Sequence, residues 1–382
     1  MAQWQTVELG DACEIVRGAS PRPIINYITD SPYGENWLKI GDVKETDKYF
    51  RYAKEKIIKD GIEKSRKVVK GDLILSNSMS FGRAFITLIE GYIHDGWLRL
   101  RPNESILNKE YLYYFLSSKI AQDQFYSVAT GSVVSNLKTD TVKTTKVPLP
   151  PLNIQNKISS ILSSIDDKIE NNEIINKNLT DTAISLYREM FSSGRYEGKK
   201  GILSDIANII MGQSPKGDSY NESGDGTVFY QGRTDFGERF PSRRLFTTEP
   251  NRLAKINDIL LSVRAPVGDL NIAFEECCIG RGLAAIRSSN SCQSFILYTL
   301  LSLKSQFDVY NGEGTVFGSI NKKSLEEIEI NIPTQQLISK FENIVAPIDK
   351  KIKNYFNQNC KLISIRNALL PKLLSGEFDF SK

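Results

Sequence analysis

Apolar residues change their spacing twice along this 382-residue chain. Up to Pro148-Leu149-Pro150-Pro151 they come in short runs cut by turn residues. Residues 72–76, bounded by Gly71 and Asn77, predict a strand, 98–101 a second strand, and 111–118 a short apolar helix. After Pro151 the steps alternate largely between three and four: Ile158, Ile161, Ile165, Ile169, Asn172, Asn176, Leu179, Ala183, Leu186 and Met190. The same change then recurs. Strands are predicted at 258–262 and 284–287 and a short helix at 295–303, before a stripe through Phe341, Ile344, Ile348, Ile352, Tyr355, Asn359, Leu362, Arg366, Leu369 and Leu373. Each stripe predicts a long amphipathic helix, and roughly forty residues at about 1.5 Å each would extend about 60 Å.

Asn153 and Thr334 suit the N-caps of these helices, and Ser193-Gly194 and Ser375-Gly376 their C-terminal ends. Pro347 and Pro371 lie inside the second pattern and predict a kink or break there. A small domain cannot bury so long a stripe alone, so the two helices are expected to pack on each other. The packing set is Ile158, Ile165, Ile169, Asn176, Leu179 and Leu186 with Phe341, Ile348, Ile352, Asn359, Leu362 and Leu369. Asn176 and Asn359 take equivalent seam positions, as buried register-setting residues or as solvated ones on an imperfect seam.

The chain is written twice. Leu9, Asp11, Gly18, Ser20 and Pro21 return as Leu203, Asp205, Gly212, Ser214 and Pro215 at an offset of 194. Asp72-Leu73-Ile74-Leu75-Ser76, Gly82, Gly96 and Arg101 return as Asp258-Ile259-Leu260-Leu261-Ser262, Gly268, Gly282 and Arg287 at 186. Gly131-Ser132-Val133-Val134, Pro150 and the helical stripe return as Gly314-Thr315-Val316-Phe317, Pro333 and the second stripe at 183. Two modules with one scaffold and different surface loops are what such drift implies. The fold class expected is α+β, with tandem mixed modules at 1–150 and 196–333 and helical spacers at 151–195 and 334–382. Both helices follow their modules in the same chain order. A pseudo-twofold relation would therefore run them as an antiparallel coiled coil with the modules at opposite ends, a ruler.

Composition narrows the function. A net charge of +4 is too small for bulk attraction to nucleic acid, so any such binding needs local patches. Five cysteines without a Cys-x-x-Cys pair argue against disulfides and zinc ribbons and point to a reducing cytoplasm. One histidine, His94, leaves little for a metal site or proton shuttle, and a partly buried position or a turn is its expected place. The start of the chain shows no basic head with an apolar stretch, and the longest apolar run, 295–303, contains Thr299 and Ser302. Neither secretion nor membrane insertion is expected. No Asn/Asp-Pro-Pro-Tyr/Phe methyltransferase signature and no Gly-x-x-x-x-Gly-Lys-Ser/Thr phosphate loop occurs.

The duplicated Leu-x-Asp opening with its Gly-x-Ser-Pro turn, the segment Asp258-Ile259-Leu260-Leu261-Ser262-Val263-Arg264-Ala265-Pro266-Val267-Gly268, the Pro-rich approach to each helix and the close Leu369-Leu370-Pro371-Lys372-Leu373-Leu374-Ser375-Gly376-Glu377 together resemble the specificity subunits of type I restriction-modification systems. The resemblance covers essentially the whole chain. It implies a non-catalytic subunit with two target recognition domains, each reading half of a bipartite double-stranded DNA site. It also implies helices that set the gap and dock two adenine methyltransferase subunits, and through them a restriction subunit. S-adenosylmethionine, ATP and Mg²⁺ would then belong to the partner subunits, with no cofactor or metal on this chain. Arg188 stands where the second copy has Pro371, a departure from the duplication.

A DNA reader needs phosphate contacts for position and base-edge contacts for sequence. In the first module the candidates are Arg17, Ser20, Arg22, Asn77, Arg83, Ser135 and Lys138; in the second, Gln213, Lys216, Arg233, Arg264, Ser319 and Lys322. They recur at corresponding loops with different side chains, which predicts half-sites of different sequence. Two other functions fit parts of the pattern. A metal-dependent nuclease could use a triple such as Glu197-Gly198-Lys199, a spacing that common charged residues produce by chance. A stand-alone coiled-coil interaction protein would explain the heptads and nothing else.

Overall fold

The computed structural model describes residues 4–44, 46–78, 81–129, 136–191, 196, 198–311, 318–378 and 380. The expected strands form at Leu73–Ser76 and Trp97–Pro102 in the first copy and at Ile259–Ser262 and Leu283–Ser288 in the second. Their pairing is antiparallel and in the same register: Leu75 faces Leu98 as Leu261 faces Ala284, and Leu73 faces Leu100 as Ile259 faces Ile286. All four residues of Leu73–Ser76 and of Ile259–Ser262 are buried, which accounts for apolar runs rather than alternation.

Among the described residues each module carries three sheets. In the first, Cys13–Arg17, Trp97–Pro102, Leu73–Ser76, Ala84–Thr87 and Tyr49–Phe50 make one sheet. A second is ordered Ile28–Thr29, Glu55–Ile57, Glu35–Leu38, Gly91–Ile93 and Arg66–Val68. A two-stranded clasp pairs Gln5–Glu8 with Lys146–Leu149. The second module repeats the plan with a four-stranded and a five-stranded sheet, and its clasp pairs Gly198–Ile202 with Glu329–Pro333. The short apolar helices are Lys109–Leu116 and Gln293–Ser302.

The first long helix is Leu152–Phe191 and the second Gln335–Leu374. Each divides between two compact units, Met1–Asn171 with Gln358–Lys382, and Asn172–Asn357. Inside the first unit the helices run antiparallel: Arg366 donates to Asp166 at 2.8 Å and Asn359 to the Ile169 carbonyl at 3.1 Å. Inside the second unit they also run antiparallel, since Arg239 contacts both Thr180 and Asp349 while Phe341 packs on Tyr187 and Phe191. Ile158, Ile169, Phe341, Ile352 and Asn359 are buried; Ile165, Asn176, Leu179, Leu186, Ile348, Leu362 and Leu369 are half-buried. Asn359 is thus a buried, bonded seam residue, and the Asn176 Oδ1 is buried with no hydrogen bond among the described residues.

Several local expectations are corrected. The break expected at Pro347 or Pro371 does not occur: the second helix continues through both, which lie on its exposed face, where the carbonyl left without an N–H partner can meet water. Asn153 is not an N-cap: the first helix begins one residue earlier, with Ile154 N–H donating to the Pro151 carbonyl at 2.8 Å. Thr334 does cap, its hydroxyl accepting from Leu337 N–H at 3.4 Å, and Gly376 ends the second helix at φ +75°. Ser193-Gly194 lies outside the described residues. Ile344 is 43% exposed and Val345 is buried in its place, while Tyr187 rather than Leu186 is fully packed. Both helix ends leave the seam to enter a module core, where Tyr187, Phe191, Phe341 and Phe295 form an aromatic cluster.

Candidate nucleic-acid interface

Four loops converge at corresponding places in the two modules, and backbone hydrogen bonds hold them. In the first, Gly18 N–H donates to the Trp97 carbonyl at 2.8 Å and Ala19 N–H to that of Ile93 at 3.2 Å. In the second, Gly212 bonds Leu283 at 2.9 Å and Gln213 bonds Ile279 at 2.9 Å. The approach is so close that a Cβ on Gly18 would lie 2.0 Å from the His94 carbonyl oxygen, and one on Gly212 2.2 Å from that of Gly280. This is why glycine recurs there. The turn after the central strand is likewise shared: Gly82 at φ +85° and Gly268 at φ +92° return their N–H groups to the Ser76 and Ser262 carbonyls. Asn77 N–H then bonds the Gly96 carbonyl as Val263 N–H bonds that of Gly282. Leu137 N–H closes on Asn77 as Ile320 N–H closes on Val263.

On this common frame the side chains differ. In the first module Asp95 is the hub. Its carboxylate accepts from the Ser20 hydroxyl at 2.6 Å and from Arg22 Nη2 at 3.2 Å; its carbonyl accepts from Arg17 Nε at 3.0 Å and Asn77 Nδ2 at 3.1 Å. The Ser20 hydroxyl first, then a backbone N–H and the Arg22 charge, hold the Asp95 carboxyl below its usual range against the opposing effect of burial. Next to it, burial lowers the His94 pKa, and its Nδ1 accepts from Gly96 N–H at 2.9 Å. Arg22 is exposed, but Asn77 is only 3% exposed and turned inward, so its expected role as a free reader is not what its placement shows. Arg83 is half-buried; Lys138 is exposed ahead of the short helix Thr139–Lys143. Ser135 and the Gly131-Ser132-Val133-Val134 and Gly314-Thr315-Val316-Phe317 segments lie outside the described residues.

In the second module the loops enclose a cleft of about 390 Å³ lined by Arg233, Arg244, Arg264 and Arg281 with Ser214, Gln231 and Asp235. Arg233 pairs with Asp269 at 2.7 Å and Arg244 with Asp235 at 2.7 Å. Arg264 and Arg281 are exposed and have no ion pair or side-chain hydrogen bond to the described residues. Ser319 bridges Arg264 through the backbone. Gln213, Lys216 and Lys322 are exposed but do not line the cleft, and Lys322 pairs with Glu326 at 3.4 Å. Arg244, Arg281 and Asp95 were not among the sequence candidates. Asp95 and Arg281 stand one residue before the repeated Gly96 and Gly282, so aligning the copies was the signal that could have found them.

Among the described residues no group of three or more His, Cys, Asp or Glu is placed to hold a metal, and no helix is long and apolar enough to cross a membrane. The arrangement supplies planar donors in a concave basic surface, which suits acceptor-rich groups such as phosphates and base edges.

The family model for the type I restriction modification DNA specificity domain matches the chain twice, over residues 1–181 and 198–358. A putative type I restriction enzyme MjaX specificity subunit from Methanocaldococcus jannaschii is 31% identical, over 98% of this chain and 93% of the relative. The MjaIX specificity subunit of the same organism is 25% identical over the same shares. A solved type I restriction-modification S subunit from M. genitalium, 18% identical, superposes with a TM-score of 0.62 over 97% of this chain and 96% of that one, which shows a common fold. Two matches to one domain model, laid on two copies of one loop frame, account for the duplication from end to end: the chain belongs to the type I restriction-modification DNA specificity family.

Proposed function

We propose that this chain reads a bipartite, nonpalindromic double-stranded DNA site, one half with each module, and docks two adenine methyltransferase subunits and through them a restriction subunit. The observation that carries the reading is the repeated loop frame with unlike side chains: Ser78 stands where the second module has Arg264, and Arg83 where it has Asp269. A shared loop frame gives both modules a similar approach to a duplex, and different side chains give them different base preferences. Partner docking rests on membership of the specificity family. On this reading S-adenosylmethionine, ATP and Mg²⁺ are held by the partners, and this chain contributes recognition alone.

Methylome sequencing of cells expressing the chain with its methyltransferase partner tests the reading. The expected result is adenine methylation within two unlike half-sites separated by a fixed gap. Methylation of a continuous or perfectly palindromic motif would overturn it. Purified chain incubated with Mg²⁺ and plasmid should leave the plasmid intact, and binding by the assembled complex should fall steeply with salt.

A further inference from the structure

Resting on that DNA-reading function and deepening it, we propose that Arg281, with Arg264 beside it, reads a guanine in the second half-site, whereas Asp95 at the matching place of the first module is a positioning residue for Arg22. Residues 95 and 281 are held by the same contacts. The N–H of each donates to the hydroxyl of the repeated serine, Asp95 to Ser20 and Arg281 to Ser214, both at 3.3 Å. The residue before each is pinned by the close approach of Gly18 or Gly212. One backbone position therefore presents a carboxylate in one module and a guanidinium in the other.

Both modules meet the same sugar-phosphate chemistry, so a phosphate-contacting position has no reason to invert its charge. A position that inverts its charge serves something that differs between the half-sites, directly or through a neighbouring side chain, and what differs between half-sites is their bases. In the cleft Arg233 and Arg244 are neutralised by Asp269 and Asp235, which leaves Arg264 and Arg281 as the guanidinium forks with no ion pair to the described residues. A planar fork matches two adjacent acceptors, and the O6 and N7 atoms of guanine present such a pair in the major groove. In the first module the Asp95 carboxylate is already bonded to Ser20 and Arg22. Arg22 is 80% exposed and retains donors for a ligand, so Asp95 acts through it.

The test is methylome sequencing with the full chain and its methyltransferase partner, comparing wild type with Arg281→Ala, Arg281→Lys, Asp95→Ala, Asp95→Glu and Arg22→Ala. The wild-type second half-site should contain a G·C pair. Both Arg281 variants should relax that position alone, with discrimination falling roughly tenfold or more, since lysine keeps the charge and loses the fork. Asp95→Ala and Arg22→Ala should relax one and the same position of the first half-site, the double variant being no worse than either, with Asp95→Glu restoring part of the discrimination. Unchanged urea midpoints identify these losses as recognition rather than folding. Uniform loss of methylation with the motif intact would mark a phosphate contact and overturn the inference, as would full discrimination by Arg281→Lys. A bipartite wild-type motif that no variant alters sinks this inference alone. A wild type with no bipartite motif sinks the functional reading, and this inference with it.

Discussion

Arg287 grips Asp258 through two parallel hydrogen bonds, Nε to Oδ1 and Nη2 to Oδ2, both 2.6 Å long. Arg101 holds Asp72 in the same way at 2.7 and 2.8 Å. In both copies the carboxylate also closes the turn before the central strand, accepting from Lys255 N–H at 2.7 Å and Val69 N–H at 2.9 Å. Asp258 is 2% exposed and the Arg287 side chain about a third, so the pair lies between a buried and a surface bridge. Arg287→Met, which strands the carboxylate, should cost about 2 kcal/mol, below the range for a fully buried pair because the arginine is partly solvated. Urea unfolding checks it. Arg287→Met/Asp258→Leu should regain part of that loss, and an unchanged midpoint in the single variant would contradict the assignment.

Gly212→Ala tests the frame on which the reading residues stand. The new methyl would meet the Gly280 carbonyl at 2.2 Å, and both sides of that contact are backbone, so neither yields cheaply. A loss of about 2 kcal/mol is expected. The companion readout is the methylation motif, in which the second half-site should blur while the first stays sharp.

His94 is the single histidine, so one imidazole proton resonance reports it without assignment. Burial favours its neutral form and places its folded pKa below the usual 6.5, while the unfolded chain keeps the usual value. Between those values the unfolded state binds more protons. His94 therefore contributes stability that is present above pH 6.5 and is lost as pH falls through the folded value. NMR titration should show a midpoint under 6.5, and His94→Gln should flatten the acid side of the stability curve. A midpoint above 6.5 would contradict the burial argument.

Four cysteines, Cys13, Cys277, Cys278 and Cys292, are buried, and Cys360 is exposed. Burial pushes the Cys13 thiol up to about 12 and raises those of the other three. A native thiol titration should count one fast-reacting group, and Cys360→Ser should abolish it. More than one fast group would show that a module core opens readily.

The duplication, the buried central strands and the two long helices were legible because each writes a period or a repeat into the chain. The helix faces blurred where the environment changes along one helix. Between Ile344 and Val345, or Leu186 and Tyr187, the seam gives way to a module core, and a heptad count cannot register that switch. Asn77 read as a loop polar group because its sequence surroundings are polar, yet its side chain is buried and its Nδ2 donates inside the fold to the Asp95 carbonyl. Arg281 is hidden from local pattern for a related reason. The cleft gathers residues between Ser214 and Gly282, and their proximity is a property of pairing between strands rather than of any local pattern.

The two-stranded clasps bring the beginning and end of each module side by side, Gln5–Glu8 against Lys146–Leu149 and Gly198–Ile202 against Glu329–Pro333. A module built this way is a cassette with a zipped mouth. A substitute for what lies between the clasp strands would have to return its chain to the same doorway and also seat the helix side chains, Tyr187, Phe191 and Phe341 in the second module, that complete the core.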